Sequence, residues 1–80
     1  MEKDITIEVH IDEDETTTTV GTTLNLRGDH FESKGRARRN PTDDPMPLIG
    51  EELALARALN GLQIQVMEAA HEKIAKFLAE

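Results

Sequence analysis

The chain has 80 residues, no cysteine and a net charge of −7. This length allows one domain at most, and the lack of cysteine excludes disulfide bonds and thiolate metal sites. The acidic balance disfavours non-specific binding to nucleic acids and anionic membranes, since both are negatively charged. The first residues lack the apolar core of a signal peptide, and no run approaches the roughly 20 apolar residues of a membrane span. We therefore expect a single cytoplasmic domain, residues 1–80.

Alternating apolar and polar residues predict three β-strands, at about residues 4–12, 15–26 and 30–39. In the first strand, every second residue from Ile5 to Ile11 is apolar, which is typical of a half-buried strand. The second begins in a run of threonines, which favour strands over helices. Gly28 permits a tight turn before the third strand. Because the connections are short, the strands should form an antiparallel meander.

The third strand has one small or apolar face and one charged face. Its small or apolar residues are Phe31, Ser33, Gly35 and Ala37. Its opposite face carries His30, Glu32, Lys34, Arg36 and Arg38. The apolar face needs a cover, and the helix that follows is the only candidate in the sequence.

A stiff crossover with three prolines, at residues 40–47, leads into a long helix at about residues 48–79. Its predicted core face has apolar residues at spacings of four and three: Ile49, Leu53, Ala56, Leu59 and Leu62. About 30 helical residues span roughly 45 Å, against roughly 33 Å for a ten-residue strand. We therefore expect the helix to extend beyond the sheet.

Several short motifs in the crossover and helix occur together and in order. They are Pro41, Asp43 and Pro45, the Ile49–Gly50 pair, and the Ala-Arg-Ala-Leu block at residues 56–59. On these residues the chain resembles a family of small, mostly actinobacterial proteins catalogued as a domain of unknown function. The resemblance implies an α+β fold, β-β-β-α, similar to the double-stranded-RNA-binding domain. It implies no catalytic or binding residues.

RNA-binding domains of that fold carry a basic cluster at the start of their final helix, whereas residues 48–52 here are acidic. They also have a helix before the strands, for which this sequence leaves no residues. Either half of the sheet face is bare, or the second half of a long helix fills the gap, from the same chain or from a partner. We predict a homodimer that completes the fold twice.

Five of the nine basic residues form a candidate binding stripe: Arg27, Lys34, Arg36, Arg38 and Arg39. We favour a protein-interaction or regulatory module in which the stripe pairs with an acidic protein partner. Binding of duplex RNA or DNA is the alternative, because alternate strand residues stand about 7 Å apart, close to the phosphate repeat. Against it stand the net charge and the presence of only two aromatic residues, both phenylalanines.

No pattern in the sequence supports catalysis or a cofactor. Ser33 lies on a strand, Asp43 and Asp44 between prolines are typical turn formers, and no glycine-rich phosphate loop is present. His10 and His30 fall on the outer sheet face with the second strand between them, and a metal site needs three or four converging ligands. We therefore expect a non-enzymatic protein that binds no metal and no cofactor.

Overall fold

The computed structural model describes residues 1–79, which contain three strands and one helix. The elements are β1 (Ile7–Glu13), β2 (Thr17–Leu26), β3 (Asp29–Arg38) and α1 (Pro47–Ala79). The strands form one antiparallel sheet in the order β1-β2-β3, so the predicted meander and C-terminal helix are confirmed. Glu80, the last residue of the predicted domain, lies outside the described residues.

A tight hairpin turn and a continuous register define the sheet. Arg27 and Gly28 both have positive φ, 48° and 88°, which gives a two-residue turn whose twist matches that of the flanking strands. The register places Val20 between Ile11 and Gly35. Because directly opposed residues share a face, the odd residues of β1 and β3 and the even residues of β2 form one inner face.

The helix packs on the inner face of β2 and β3 through two small clusters. They are Val20, Ala37, Ala54 and Ala58, and Leu24, Phe31 and Leu62. Three of these seven buried residues are alanines, so the core is thin even for a chain of this length. A domain this small has little burial to offset its loss of conformational entropy, which makes one copy of the chain marginally stable.

The helix lies close to β3 because the side chains between them are small. A Cβ atom at Gly35 would overlap the backbone of Ala54 and Ala58. Beside it, Ser33 Oγ donates a hydrogen bond to the Ala58 carbonyl at 2.6 Å. The Thr22 hydroxyl, 1% exposed, donates in turn to Ser33 Oγ at 2.5 Å. This contact sets the position of α1 on the sheet.

The predicted apolar face of α1 is largely wrong. Ile49 and Leu53 are 50% and 45% exposed, and the buried helix residues are Ala54, Ala58 and Leu62. Leu62 belongs to both stripes and is buried as predicted, whereas Leu53 is turned about 100° from the buried Ala54 that follows it. Periodicity alone favours the more apolar of two such stripes. The alanine stripe packs on the sheet because only small side chains fit against Gly35.

The predicted burial of the first strand is also wrong, because β1 is exposed along its whole length. Ile7, Val9 and Ile11 lie on the inner face but are 40%, 46% and 42% exposed. The physical reason is coverage. One helix is about 10 Å wide, which is the width of two strands, and α1 lies on β2 and β3.

The helix extends past the sheet, as predicted. Its 33 residues span about 50 Å, and those at positions 70–79 are exposed. The radius of gyration is 16.4 Å, against about 12 Å for a compact chain of this length. Although α1 is long, neither it nor any other part of residues 1–79 forms a helix apolar enough to cross a membrane.

Candidate functional site

Three basic side chains, Lys34, Arg36 and Arg38, follow one another on the outer face of β3, and we call them the basic stripe. All three are exposed, at alternate positions about 7 Å apart. The ion pairs within residues 1–79 join His30 to Glu32 and Lys73 to Asp29. The basic stripe is therefore free to bind an external negative group.

Two of the five predicted stripe residues lie elsewhere. Arg27 is in the β2–β3 turn, at the opposite end of β3 from Arg38. The guanidinium of Arg39 turns to the crossover, where Nη2 donates to the Glu15 carbonyl at 2.8 Å and Nη1 donates to the Asp43 carbonyl at 2.7 Å. Because the planar guanidinium can hold several acceptors, Arg39 fastens the crossover to the β1–β2 turn. Its role is structural.

The outer face of the sheet carries opposite charges on its two outer strands. The register places Asp12 on β1 across Thr19 from Arg36 on β3. Two interstrand spacings, about 10 Å, separate the acidic residues of β1 from the basic stripe. The outer face therefore suits a narrow acidic ligand over β3, because a broad polyanion would also meet Glu8 and Asp12.

The helix leaves the apolar side of β1 uncovered, and we call this surface, together with the neighbouring Leu59 of α1, the open apolar face: Ile7, Val9, Ile11 and Leu59. These side chains are between 39% and 46% exposed. Leu59 belongs to this surface because Arg57 reaches the β3 edge, and a residue two positions later on a helix points about 200° away. Apolar patches of this kind mark sites of association in proteins of known structure.

The two edges of the sheet differ. On β3, the Gln65 amide accepts from the Glu32 N–H at 3.3 Å and donates to the Glu32 carbonyl at 2.5 Å. Arg57 Nη1 donates to the Arg36 carbonyl at 2.6 Å. On β1, no hydrogen bond from a side chain within residues 1–79 reaches the backbone, and the strand has no proline, lysine or bulge. Within residues 1–79, the β1 edge is therefore more open to another strand than the β3 edge.

Sequence reasoning missed the role of Gln65 and Arg57 as caps of the β3 edge. Their partners lie 33 and 21 residues away along the chain, and no short motif encodes contacts at that separation. The available signal is positional: both residues border the buried stripe of α1. That signal is usable only when the buried stripe is known.

A cleft of about 350 Å³ lies where the β1–β2 turn meets the crossover and the start of α1. Its apolar wall includes Ala37, Met46, Pro47 and Leu53, and Glu13 and Asp14 lie at its acidic side.

The side chain of Asp14 holds the β1–β2 turn through backbone hydrogen bonds. Asp14 Oδ1 accepts from the N–H groups of Thr16 at 2.9 Å and Thr17 at 2.8 Å. These hydrogen bonds, aided by the charge of Arg38, hold the pKa of Asp14 below its usual value. The carboxylate fixes the turn.

Metal-binding side chains do not converge in the part of the chain that the structure describes, where no three His, Asp or Glu form a group. His30 Nδ1 lies 2.7 Å from Asn25 Oδ1, and Nε2 lies 3.6 Å from Glu32. His10 lies opposite Gly21 on the far side of β2. The two histidines therefore do not share a site.

The fold and its uncovered surfaces define a class of small α+β protein in which one long helix covers two strands of a three-stranded sheet. The sequence profile of the Rv2632c-like family matches residues 3–80. The chain belongs to the Rv2632c-like family.

The relatives are mycobacterial proteins described as uncharacterised. The chain is 36% identical over 69 residues to Mb1767 of Mycobacterium bovis, which covers 86% of this chain and 73% of that protein. It is 40% identical over 60 residues to Rv2632c of Mycobacterium tuberculosis, covering 75% and 64% respectively. The crystal structure of Rv2632c matches with a TM-score of 0.93 at 32% identity, over 100% of this chain and 95% of that one. The predicted membership in a family of uncharacterised actinobacterial proteins is confirmed.

Proposed function

We propose that the chain is a non-enzymatic, homodimeric protein-interaction module of the cytoplasm. The observation that carries the proposal is the open apolar face, whose four side chains stay 39% to 46% exposed beside a thin core. Burying apolar surface contributes about 25 cal/mol per Å². A small domain without disulfide bonds or a structural metal gains most from covering such a face with a second copy.

The proposed dimer also accounts for the resemblance to the double-stranded-RNA-binding fold. That fold has a further helix on the part of the sheet that α1 leaves bare. A second copy would extend or cover this part of the sheet with its own strand or helix, so that each chain completes the other. The proposed similarity to the double-stranded-RNA-binding fold therefore depends on the proposed homodimer.

Light scattering at tens of micromolar tests the dimer. Val9→Glu and Leu59→Glu each place a charge in the open apolar face, and we expect both to give monomers because a buried unpaired charge is costly. Asn60→Asp, on the side of α1 that points away from the sheet, is the matched control and should leave the dimer intact. A wild-type chain that is monomeric at this concentration contradicts the proposal.

We propose further that the basic stripe binds an acidic segment of a protein partner. Three cations without ion-pair partners in the described residues stand on a chain of net charge −7, so an acidic segment is guided to this strip and repelled elsewhere. The acidic residues on β1 restrict the ligand to a narrow one. Duplex nucleic acid is the second candidate, supported by the phosphate-like spacing of the stripe.

Fluorescence anisotropy with two labelled probes separates these ligands: an oligoglutamate peptide, and an RNA duplex of about 16 base pairs, the span of double-stranded-RNA-binding domains. We expect peptide binding that is lost on Arg36→Glu with Arg38→Glu. The control, Arg27→Glu with Lys76→Glu, makes the same change in net charge away from the stripe. Salt-dependent duplex binding lost on the first pair alone would favour nucleic acid instead.

A further inference from the structure

The open edge of β1 gives the proposed dimer a specific geometry. We infer that two copies pair their β1 strands in antiparallel fashion, with Val9 opposite the partner's Val9, to form one six-stranded sheet. This inference rests on the proposed homodimer and states which residues meet in it.

The backbone groups that β1 leaves unpaired follow from the register. In an antiparallel sheet, the N–H and C=O of one residue point to the same side, and that side alternates along the strand. Gln65 binds both groups of Glu32 from outside the sheet, so those of Thr23, opposite Glu32, point toward β1. Thr23 faces Glu8, which therefore pairs with β2. The alternate residues turn their groups to the open edge: Ile7, Val9 and Ile11.

The same three residues carry the apolar side chains of the β1 inner face. With Val9 opposite the partner's Val9, Ile7 falls opposite the partner's Ile11 on either side of the two-fold axis. Each opposed pair presents outward N–H and C=O groups, so the new ladder can form about six backbone hydrogen bonds. Every exposed β1 side chain of the open apolar face gains an apolar neighbour.

The charged outer side of β1 selects this register. It places Glu8 opposite the partner's His10, where the two side chains can share a hydrogen bond. The two neighbouring registers place Glu8 opposite the partner's Glu8 or opposite the partner's Asp12. Like charges directly opposed across a ladder destabilise it, so the register centred on Val9 is favoured.

The other edge of the sheet makes the assembly close at two copies. Pairing through β1 uses the open edge of both chains. The remaining outer edges are the two β3 strands, where Gln65 and Arg57 already occupy the backbone of Glu32 and Arg36. A third copy would have to displace these side chains to pair with β3, so pairing through β1 favours a dimer with two-fold symmetry over a filament.

Single cysteines test the pairing, since the chain has none of its own. In Val9→Cys, the two Cα atoms would lie about 5.5 Å apart, within the range of a disulfide bond. Asp12→Cys is the matched control on the same strand. In this register it lies six residues along the ladder from its symmetry mate, about 20 Å away.

We expect Val9→Cys to form a disulfide-linked dimer under mild oxidation at least tenfold faster than Asp12→Cys. Light scattering on the wild-type chain is run beside it. If the wild type is dimeric but Val9→Cys cross-links no faster than Asp12→Cys, β1 pairing is overturned while the homodimer stands. A Phe77→Cys cross-link would then place the interface on the helix overhang. A monomeric wild type overturns both.

Val9→Pro supplies a second measurement that does not depend on oxidation. The Val9 N–H faces the open edge, so proline removes a donor from the dimer ladder and none from the β1–β2 ladder. We expect the dimer Kd to rise at least tenfold while the circular dichroism spectrum is kept. His10→Pro removes a β1–β2 hydrogen bond and should disturb the sheet itself. An unchanged Kd for Val9→Pro overturns the inference.

Discussion

At the residue scale, Ser33 links the sheet to the helix through a chain of hydroxyl groups. It accepts from Thr22 at 2.5 Å and donates to the Ala58 carbonyl at 2.6 Å. A buried donor costs free energy when its acceptor is removed, and much less when both partners are replaced by apolar groups. The pair therefore stabilises the fold mainly because neither hydroxyl is left without a partner.

Ser33→Ala should lower the free energy of unfolding by about 1 to 3 kcal/mol, because the Thr22 hydroxyl loses its acceptor. Combining it with Thr22→Val should recover part of that loss, since the Thr22 hydroxyl, which Ser33→Ala leaves without an acceptor, is then removed. Urea denaturation of the two single variants and the double variant gives the coupling between the sites. Fully additive losses would mean that the two hydroxyls do not act together.

The lowered pKa of Asp14 predicts that the stability contributed by this residue decreases at acid pH. Hydrogen bonds from the Thr16 and Thr17 N–H groups lower the pKa of its carboxyl group. A lowered folded-state pKa gives stabilisation that is full above the ordinary value, about 3.9, and is lost as pH falls through the lowered value. The stability difference between wild type and Asp14→Ala should therefore shrink on acidification through this range. Denaturation curves at several pH values measure it, and a constant difference would contradict the prediction.

At the scale of elements, the contact between β3 and α1 decides which stripe of the helix is buried. Gly35 faces the backbone of Ala54 and Ala58, where a Cβ atom has no room. Gly21 lies on the same sheet, and a Cβ there meets nothing within 4 Å. The two glycines form a matched pair, one under the helix and one on the open outer face.

Gly35→Ala should lower the free energy of unfolding by about 1 to 3 kcal/mol, because the helix must move away from the sheet. Gly21→Ala should be neutral or stabilising by up to about 1 kcal/mol, since it restricts only the unfolded chain. Thermal or urea denaturation of both variants measures the difference. Equal effects would show that the close approach of α1 to β3 is not needed for stability.

At the scale of the whole molecule, the chain is long and thin, with extents of 58 × 26 × 16 Å. The helix end carries Ile74, Phe77 and Leu78, which are 54%, 79% and 76% exposed. Together with the open apolar face, this leaves a large apolar surface exposed, whereas only seven apolar residues are buried within residues 1–79. The proposed association with a second copy would bury part of this surface.

If the chain is a homodimer that unfolds to monomers, its apparent stability should rise by about 1.4 kcal/mol for each tenfold increase in concentration. Its Tm should then increase with protein concentration, as differential scanning calorimetry can measure. The Val9→Glu variant should show a lower Tm that does not change with concentration. A wild-type Tm independent of concentration would point to a monomer.

Patterns among residues close together in the sequence were enough to predict much of the fold. The order β-β-β-α, the antiparallel meander, the helix overhang and the family all follow from residues close together in the chain. The basic stripe of Lys34, Arg36 and Arg38 follows as well, because strand parity alone decides which face a side chain takes. These features do not depend on how the elements pack.

Only the tertiary structure decided which surfaces are covered. The width of one helix restricts α1 to β2 and β3, so the alternating pattern of β1 does not reveal that its apolar side is bare. Close approach at Gly35 selects the alanine stripe over the more apolar one. Arg39 and Gln65 act on partners 24 and 33 residues away, contacts that periodicity cannot encode. Faces are local properties of a strand, whereas coverage is a property of the packed chain.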